Sequence, residues 1–224
     1  MRFERKFIVY ESVRGDLRSF LSINSFKKEY PSREITSMYY DSDDFEKFHE
    51  SEEGVQNRIK IRLRFYNSEI EKIKLEKKIK SSEIGTKEYI NLDNFKKDFL
   101  YLDLTSQKYK KVIKIPKTIE NIYIPALIVK YSRDYYTNQD KSIRITYDYK
   151  LAFSNIYNRK SQKIIPYYIP GNFSVIEIKY GNNILVQPEI IGLISDKFNI
   201  HISRCSKYTE AIKACFWKVF TLTL

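Results

Sequence analysis

An alternation of period two is clearest over 58–66, Arg-Ile-Lys-Ile-Arg-Leu-Arg-Phe-Tyr. Arg58, Lys60, Arg62 and Arg64 take every second position, and Ile59, Ile61, Leu63 and Phe65 fill the places between. Successive side chains of a strand point to opposite faces, so the spacing predicts a β-strand with one cationic and one apolar face. Like charges on that face stand roughly 6–7 Å apart. At an effective dielectric of ~20 one such pair repels by roughly 2–3 kcal/mol, and by well under ~1 kcal/mol in open water. Either solvent bathes this face or an anion occupies it.

The alternation recurs. Over 72–80, Ile73, Leu75 and Ile79 oppose Lys74, Glu76, Lys78 and Lys80. The link 67–71 has hairpin length, so the two cationic faces become cross-strand neighbours, with Glu76 as the offsetting charge. A first strand over 2–10 sets Glu4 and Lys6 on one face, with Arg5 interrupting the apolar side. Further strands are predicted over 35–41, 126–135, 142–150 and 174–180. Arg133, the set Arg144, Thr146 and Asp148, and the pair Glu177 and Lys179 fall within them. Apolar positions at helical spacing (Val13, Leu17, Phe20, Leu21) predict a helix over 11–21. Other helices are expected over 92–112, over 188–198 with Pro188 in the first turn, and at the C-terminal end to about 219. Asp43 is expected to cap a short helix through Phe48, and Gly54 to break the chain before the basic strand. Arg204 and Lys207 stand near the start of the last helix, where the helix dipole disfavours cations, so an anion held against both would compensate.

Composition narrows the partner. The 224 residues carry 40 Lys and Arg against 28 Asp and Glu, a net charge of +12, with 42% hydrophobic residues. A core is affordable, disorder is not indicated, and an anionic partner is implied. No apolar run is long enough to span a bilayer and no signal-peptide pattern opens the chain, so a cytoplasmic protein is expected. Cys205 and Cys215 are the two cysteines and fit a reducing compartment; His49 and His201 are isolated, which argues against zinc ligation and a His-based triad. Six glycines, none in a phosphate-loop pattern, leave side chains to bind any phosphate.

Several strands thus place Arg or Lys on one face with a carboxylate nearby. Antiparallel strands of this kind can close into a barrel whose interior holds water and a polyanion. The ordered segments Glu4-Arg-Lys6, Ser37-Met-Tyr-Tyr-Asp41, Arg62-Leu-Arg64, Leu75-Glu-Lys-Lys78, Tyr131-Ser-Arg133, Arg144-Ile-Thr-Tyr-Asp148, Glu177-Ile-Lys179 and Ser206-Lys-Tyr208 resemble the VTC domain. That domain is the catalytic part of a polyphosphate polymerase and belongs to the triphosphate tunnel metalloenzymes. The resemblance runs from Arg2 to about Ala211 and is carried by the order of the segments. It implies an α+β fold, a single domain over 1–224: a closed antiparallel tunnel of about eight strands with flanking helices and a C-terminal helix.

The resemblance also implies roles. Lys6, Arg62, Arg64, Lys78, Arg133, Arg144, Lys179, Arg204 and Lys207 become phosphate ligands, joined by Lys60 on the basic strand. Glu177 becomes the ligand of Mn²⁺ or Mg²⁺, with Glu4 and Glu76 as further metal candidates. At the fourth segment either Lys77 or Lys78 could face inward, and the Glu-x-Lys spacing favours Lys78. The wider superfamily has two alternating glutamates at the first segment; here Arg2 takes the first place, which argues against the triphosphatase and adenylate-cyclase branches. The implied reaction moves the ATP γ-phosphate onto inorganic polyphosphate. Hydrolysis of a triphosphate is the alternative, with Glu4, Glu76 or Asp148 orienting water, and a non-catalytic polyanion-binding module is another. Nucleic acid is not the expected partner, because Phe65 falls on the face opposite the charges.

Overall fold

The computed structural model describes residues 2–10, 13–67, 69, 73–81, 84–91, 123–156, 167–181 and 188–220. In chain order they form β1 (Arg2–Val9), α1 (Arg14–Ile23), β2 (Lys27–Asp41), α2 (Glu46–Glu52), β3 (Arg58–Tyr66), β4 (Lys74–Ser81) and β5 (Ile84–Asn91). Then come β6 (Ile124–Thr137), β7 (Ile143–Asn155), β8 (Ile169–Pro170), β9 (Ser174–Gly181), α3 (Glu189–Phe198) and α4 (Lys207–Phe220). The helix expected over 92–112 lies outside the described residues.

The strands pair in the order β1-β9-β7-β6-β2-β3-β4-β5, with β8 added to β7. This corrects the closed barrel expected from the sequence. Closure needs the first and last strands to exchange backbone hydrogen bonds, and among the described residues no ladder joins β1 to β5. The outer edge of β1 meets a different segment: Phe7 bridges Ile202, and the Ser203 amide donates to the Lys6 carbonyl at 2.8 Å. The fold is an antiparallel sheet with two ends.

The chain divides into two compact units whose boundaries fall inside β2, β6 and β7. The first comprises Met1–Glu34, Lys130–Ala152 and Pro170–Ser206. Its core forms because alternate residues of the strands and one stripe of each helix are apolar: Phe7 of β1, Ile145 and Tyr147 of β7 and Ile176 and Ile178 of β9 pack with Leu17 and Leu21 of α1 and Ile190 and Ile194 of α3. Full burial of such a side chain stabilises by roughly 1.5–3 kcal/mol. The strand positions between these carry Glu4, Lys6, Arg144, Thr146, Asp148, Glu177 and Lys179 on the other face.

The second unit comprises Ile35–Val129, Phe153–Ile169 and Lys207–Leu224. Its β3–β4 register realises the expected hairpin: Arg58 opposes Lys80, Lys60 opposes Lys78, Arg62 opposes Glu76 and Arg64 opposes Lys74. β5, which the sequence reading missed, extends the row of Lys60 and Lys78 to Lys87. The cap of α2 also differs from expectation. The Lys47 and Phe48 amides donate to the Asp41 carboxylate at 2.9 and 3.0 Å, and the Glu46 amide donates to Ser42 Oγ at 3.0 Å. Asp41 and Ser42 thus accept from these amides, where the sequence pointed to Asp43, and Phe45 at the helix start takes a left-handed conformation (φ 57°). Among the described residues no helix is long and apolar enough to cross a membrane, and no disulfide joins Cys205 and Cys215.

Candidate active site

In the second unit, β3 sets Arg62 and Arg64 one turn of the pleat apart, with β2 on one side and β4 on the other. Arg62 Nε donates to Glu76 Oε2 at 2.7 Å, its Nη2 lies 2.5 Å from the same oxygen, and its Nη1 donates to Tyr39 OH at 3.0 Å. Arg64 Nε donates to Ser37 Oγ at 3.0 Å, and its Nη1 stands 3.7 Å from Glu76. One buried carboxylate thus braces two guanidinium groups. Burial of Glu76 opposes ionisation, but Arg62 and Arg64 outweigh it and hold its carboxyl below the usual range. Burial likewise opposes ionisation of Tyr39, and the same two arginines, with Lys207 contributing, pull its phenol down.

Parity answers which lysine of β4 joins this face. Lys78 lies opposite Lys60 and on the side of Glu76, whereas Lys77 lies opposite Ile61 and pairs with Glu88 at 3.4 Å. Lys207 is the first residue of α4 and half-buried. Its neighbour Tyr208 is fixed by donating to the buried Asp41 carboxylate, and the Tyr208 ring lies 5.7 Å beneath the Lys60 ammonium. Burial and Asp41 push the Tyr208 phenol far above its ordinary value, so it stays a donor.

In the first unit, the charges on β1 and β9 form a checkerboard. Glu4 opposes Lys179, and Lys6 opposes Glu177. Lys6 Nζ lies 2.7 Å from Glu4, Lys179 Nζ contacts Glu177 closely, and Lys179 lies 3.6 Å from Glu4. Lys6 also donates to the Cys205 carbonyl at 3.1 Å. Burial works against the Lys6 charge, but Glu177 and Glu4 hold its ammonium well above the usual lysine range. β7 continues the two rows: Thr146 opposes Glu177, and Arg144, exposed near the start of its strand, opposes Lys179. Arg133 of β6 donates from Nε and Nη2 to the two oxygens of Asp148 at 2.5 and 2.7 Å, and Asp148 is fully buried. Asp148, a candidate to orient water on sequence grounds, is instead the fork that aims Arg133. Arg204 is exposed in the segment before α4.

The sequence reading gave Tyr39 no role, and it placed Thr146 on the charged face with Arg144 and Asp148 without assigning it one. Tyr39 was signalled by its place two residues before Asp41 on a strand next to β3. Thr146 had no signal beyond its parity.

Over residues 1–216 the sequence matches the VTC domain. The chain belongs to the VTC domain family. No curated protein sequence matches it. Among solved structures this VTC domain is similar to a putative adenylyl cyclase from Hippeastrum described as having a dominant triphosphatase activity, at 15% identity, a TM-score of 0.57, and coverage of 96% of this chain and 97% of that one. It is similar to putative adenylate cyclases from Bacillus halodurans (14% identity, TM-score 0.53, 92% and 94% covered) and Vibrio parahaemolyticus (11% identity, TM-score 0.53, 95% and 98% covered). These likenesses show that the VTC domain shares the fold of these putative cyclases.

The metal expected for such a fold can be tested against the residues. Among the described residues no group of three His, Cys, Asp or Glu side chains stands together. Mg²⁺ and related ions need no such cage; they take one or two carboxylates and rely on phosphate oxygens for the rest. Glu177 and Glu4 share one patch of the VTC domain. Beside them the buried Thr146 Oγ1 has no hydrogen-bond partner among the described residues. That donor set fits a metal brought with a triphosphate. Glu76, engaged by two arginines, is the poorer ligand.

Proposed function

We propose that this protein is a metal-dependent polyphosphate polymerase, transferring the γ-phosphoryl group of ATP to the end of an inorganic polyphosphate chain. One observation carries the choice of transfer over hydrolysis. On the charged faces of both units the carboxylates described above are engaged: Glu76 with Arg62, Asp148 with Arg133, Glu177 with Lys179, Glu4 with Lys6, and Asp41 with Tyr208 and the first amides of α2. Hydrolysis calls for a group that orients water, and a carboxylate is the usual candidate on a face otherwise made of cations. A phosphate chain end is already an anionic nucleophile and needs none.

In this reading Arg62, Arg64, Arg133 and Arg144 offer planar forks to phosphate oxygens, and Lys6, Lys60, Lys78, Lys179, Arg204 and Lys207 add charge. Glu76 and Asp148 keep two of the forks aimed before substrate arrives, so little reorganisation is required at the transition state. Glu177 and Glu4, with the Thr146 hydroxyl, would hold Mn²⁺ or Mg²⁺, which supplies charge neutralisation at the triphosphate. Lys6 and Lys179, beside those carboxylates, would then be available to phosphate oxygens. Holding a chain end against the γ-phosphoryl group favours it over water by proximity. A cytoplasmic location accords with two thiols that form no disulfide.

The Hippeastrum neighbour's triphosphatase activity favours hydrolysis as the second reading. Incubation of the purified protein with ATP and Mn²⁺, followed by sizing of the phosphate products on a gel, separates the two. Polymerase activity yields long chains. Inorganic phosphate alone, across metal and protein concentrations, would replace the polymerase with a triphosphatase.

A further inference from the structure

Tyr131, Arg133 and Tyr135 take alternate positions on β6 and share one face of the first unit. The Arg133 guanidinium carbon lies 5.4 Å from the centre of the Tyr131 ring and 5.9 Å from that of Tyr135. Tyr135 meets Tyr30 of β2 edge to face, with ring centres 5.8 Å apart and planes at 87°. The Arg33 guanidinium then lies 5.6 Å from the Tyr30 ring and 5.9 Å from the Tyr135 ring. The result is a ladder of rings and guanidinium groups. Its inner end is the Arg133 fork held by Asp148, and its outer end reaches solvent: Tyr30 is 41% exposed and Arg33 is exposed. Tyr30 is steadied at its rim by donating to Glu29 at 3.1 Å.

Phosphate has no π-face, so the faces of these rings offer a phosphate chain nothing. They suit a flat, polarisable heterocycle, which stacks on tyrosine and on guanidinium planes alike. We propose that the outer end of this ladder, Tyr30 with Arg33, is the subsite for the base of the nucleotide substrate. The proposal rests on Arg133 being a phosphate ligand. Two steps of 5.9 and 5.8 Å lead from its guanidinium to the Tyr30 ring, in keeping with the ribose that separates a triphosphate from its base. Stacking reads area rather than base edges, so the subsite prefers purines to pyrimidines and distinguishes adenine poorly from guanine.

The test compares two ligands that share a triphosphate and differ in the base. The probes are the non-hydrolysable ATP analogue AMP-PNP and inorganic tripolyphosphate, each with Mg²⁺, and affinity is read by calorimetry. Tyr30→Ala is expected to weaken AMP-PNP on the order of tenfold and leave tripolyphosphate unchanged, with Tyr30→Trp restoring the loss. Arg33→Gln, at an exposed position, should show the same split and guards against a folding defect in Tyr30→Ala. Equal effects on the two ligands, or no effect on AMP-PNP, overturn the base subsite while leaving the phosphate site standing. If the parent protein binds neither probe, the phosphate reading falls and the subsite falls with it.

Discussion

Replacing Glu76 by Gln tests how the arginines of β3 are held. The side chain keeps its shape and one acceptor but loses its charge. In the parent that charge serves two guanidinium groups, at 2.5 Å for Arg62 and 3.7 Å for Arg64. The side chains involved are 6%, 16% and 8% exposed, so solvent screens little of the interaction. Two unit charges ~4 Å apart at an effective dielectric of ~20 interact by about 4 kcal/mol. Stripping one partner from a buried pair costs about 3–5 kcal/mol, because the other charge is left uncompensated. The retained acceptor, Tyr39 and Ser37 soften this, so about 3 kcal/mol is expected for Glu76→Gln. In a chain of this size that lowers the melting temperature by roughly 6–12 °C. The functional half of the prediction is a reversal by ligand. Tripolyphosphate supplies the missing negative charge, so at saturation it should raise the melting temperature of Glu76→Gln more than that of the parent. Thermal denaturation with and without tripolyphosphate measures both effects. A variant within ~1 kcal/mol of the parent, or one that tripolyphosphate stabilises less than the parent, would refute the bracing role.

Three further outcomes are expected. Glu177→Gln should reduce Mn²⁺-dependent turnover by on the order of 10² or more with circular dichroism unchanged, and undiminished turnover would move the metal to Glu4. Tyr208→Phe strips one donor from the fully buried Asp41 carboxylate and should cost about 1–3 kcal/mol in denaturant unfolding; a neutral result would mean that the backbone donors suffice. The folded Glu76 carboxyl titrates below its unfolded value, so its contribution is present above the ordinary carboxylate pKa of ~4.3 and is lost as pH falls through the lower folded value. Stability should therefore decline on acidification below about pH 4, and Glu76→Gln should flatten that decline; an unchanged pH profile in the variant would show that other groups set it.

The two-residue period was enough to place β3 and β4, their shared register and the face that carries Arg62, Glu76 and Lys78. It left Lys77 and Lys78 open while favouring Lys78, and the strand register separates them, because parity is unforgiving within a strand. It did not reveal β5, where Gly85, Thr86, Lys87 and Glu88 are all exposed and no apolar alternation survives. The first half of β2 hid for a related reason: Lys27 to Glu34 is charged, mostly exposed, and interrupted by Pro31. Tyr30 and Arg33 lie there, which is why the aromatic ladder had no sequence signal. Barrel closure was an overreach of the same alternation, since a cationic stripe on each strand says which face is polar and nothing about where the last strand finds a partner. The Asp148–Arg133 fork was likewise illegible, because a strand pattern lists both residues without pairing them.

The tetrad of Glu4, Lys6, Glu177 and Lys179 behaves as a lock that needs a two-signed key. Its charges cancel internally, so a bare anion that takes the lysines strands two carboxylates, and a bare cation that takes the carboxylates strands two ammonium groups. Either half-measure leaves like charges crowded on a partly buried face. A ligand that presents both signs at once, in the alternating order of the tetrad, leaves nothing stranded. A face of this kind ignores much of the anionic traffic that a protein of charge +12 would otherwise collect. In the proposed polymerase it would separate a metal-bound triphosphate from the far commoner anions by charge order rather than by charge.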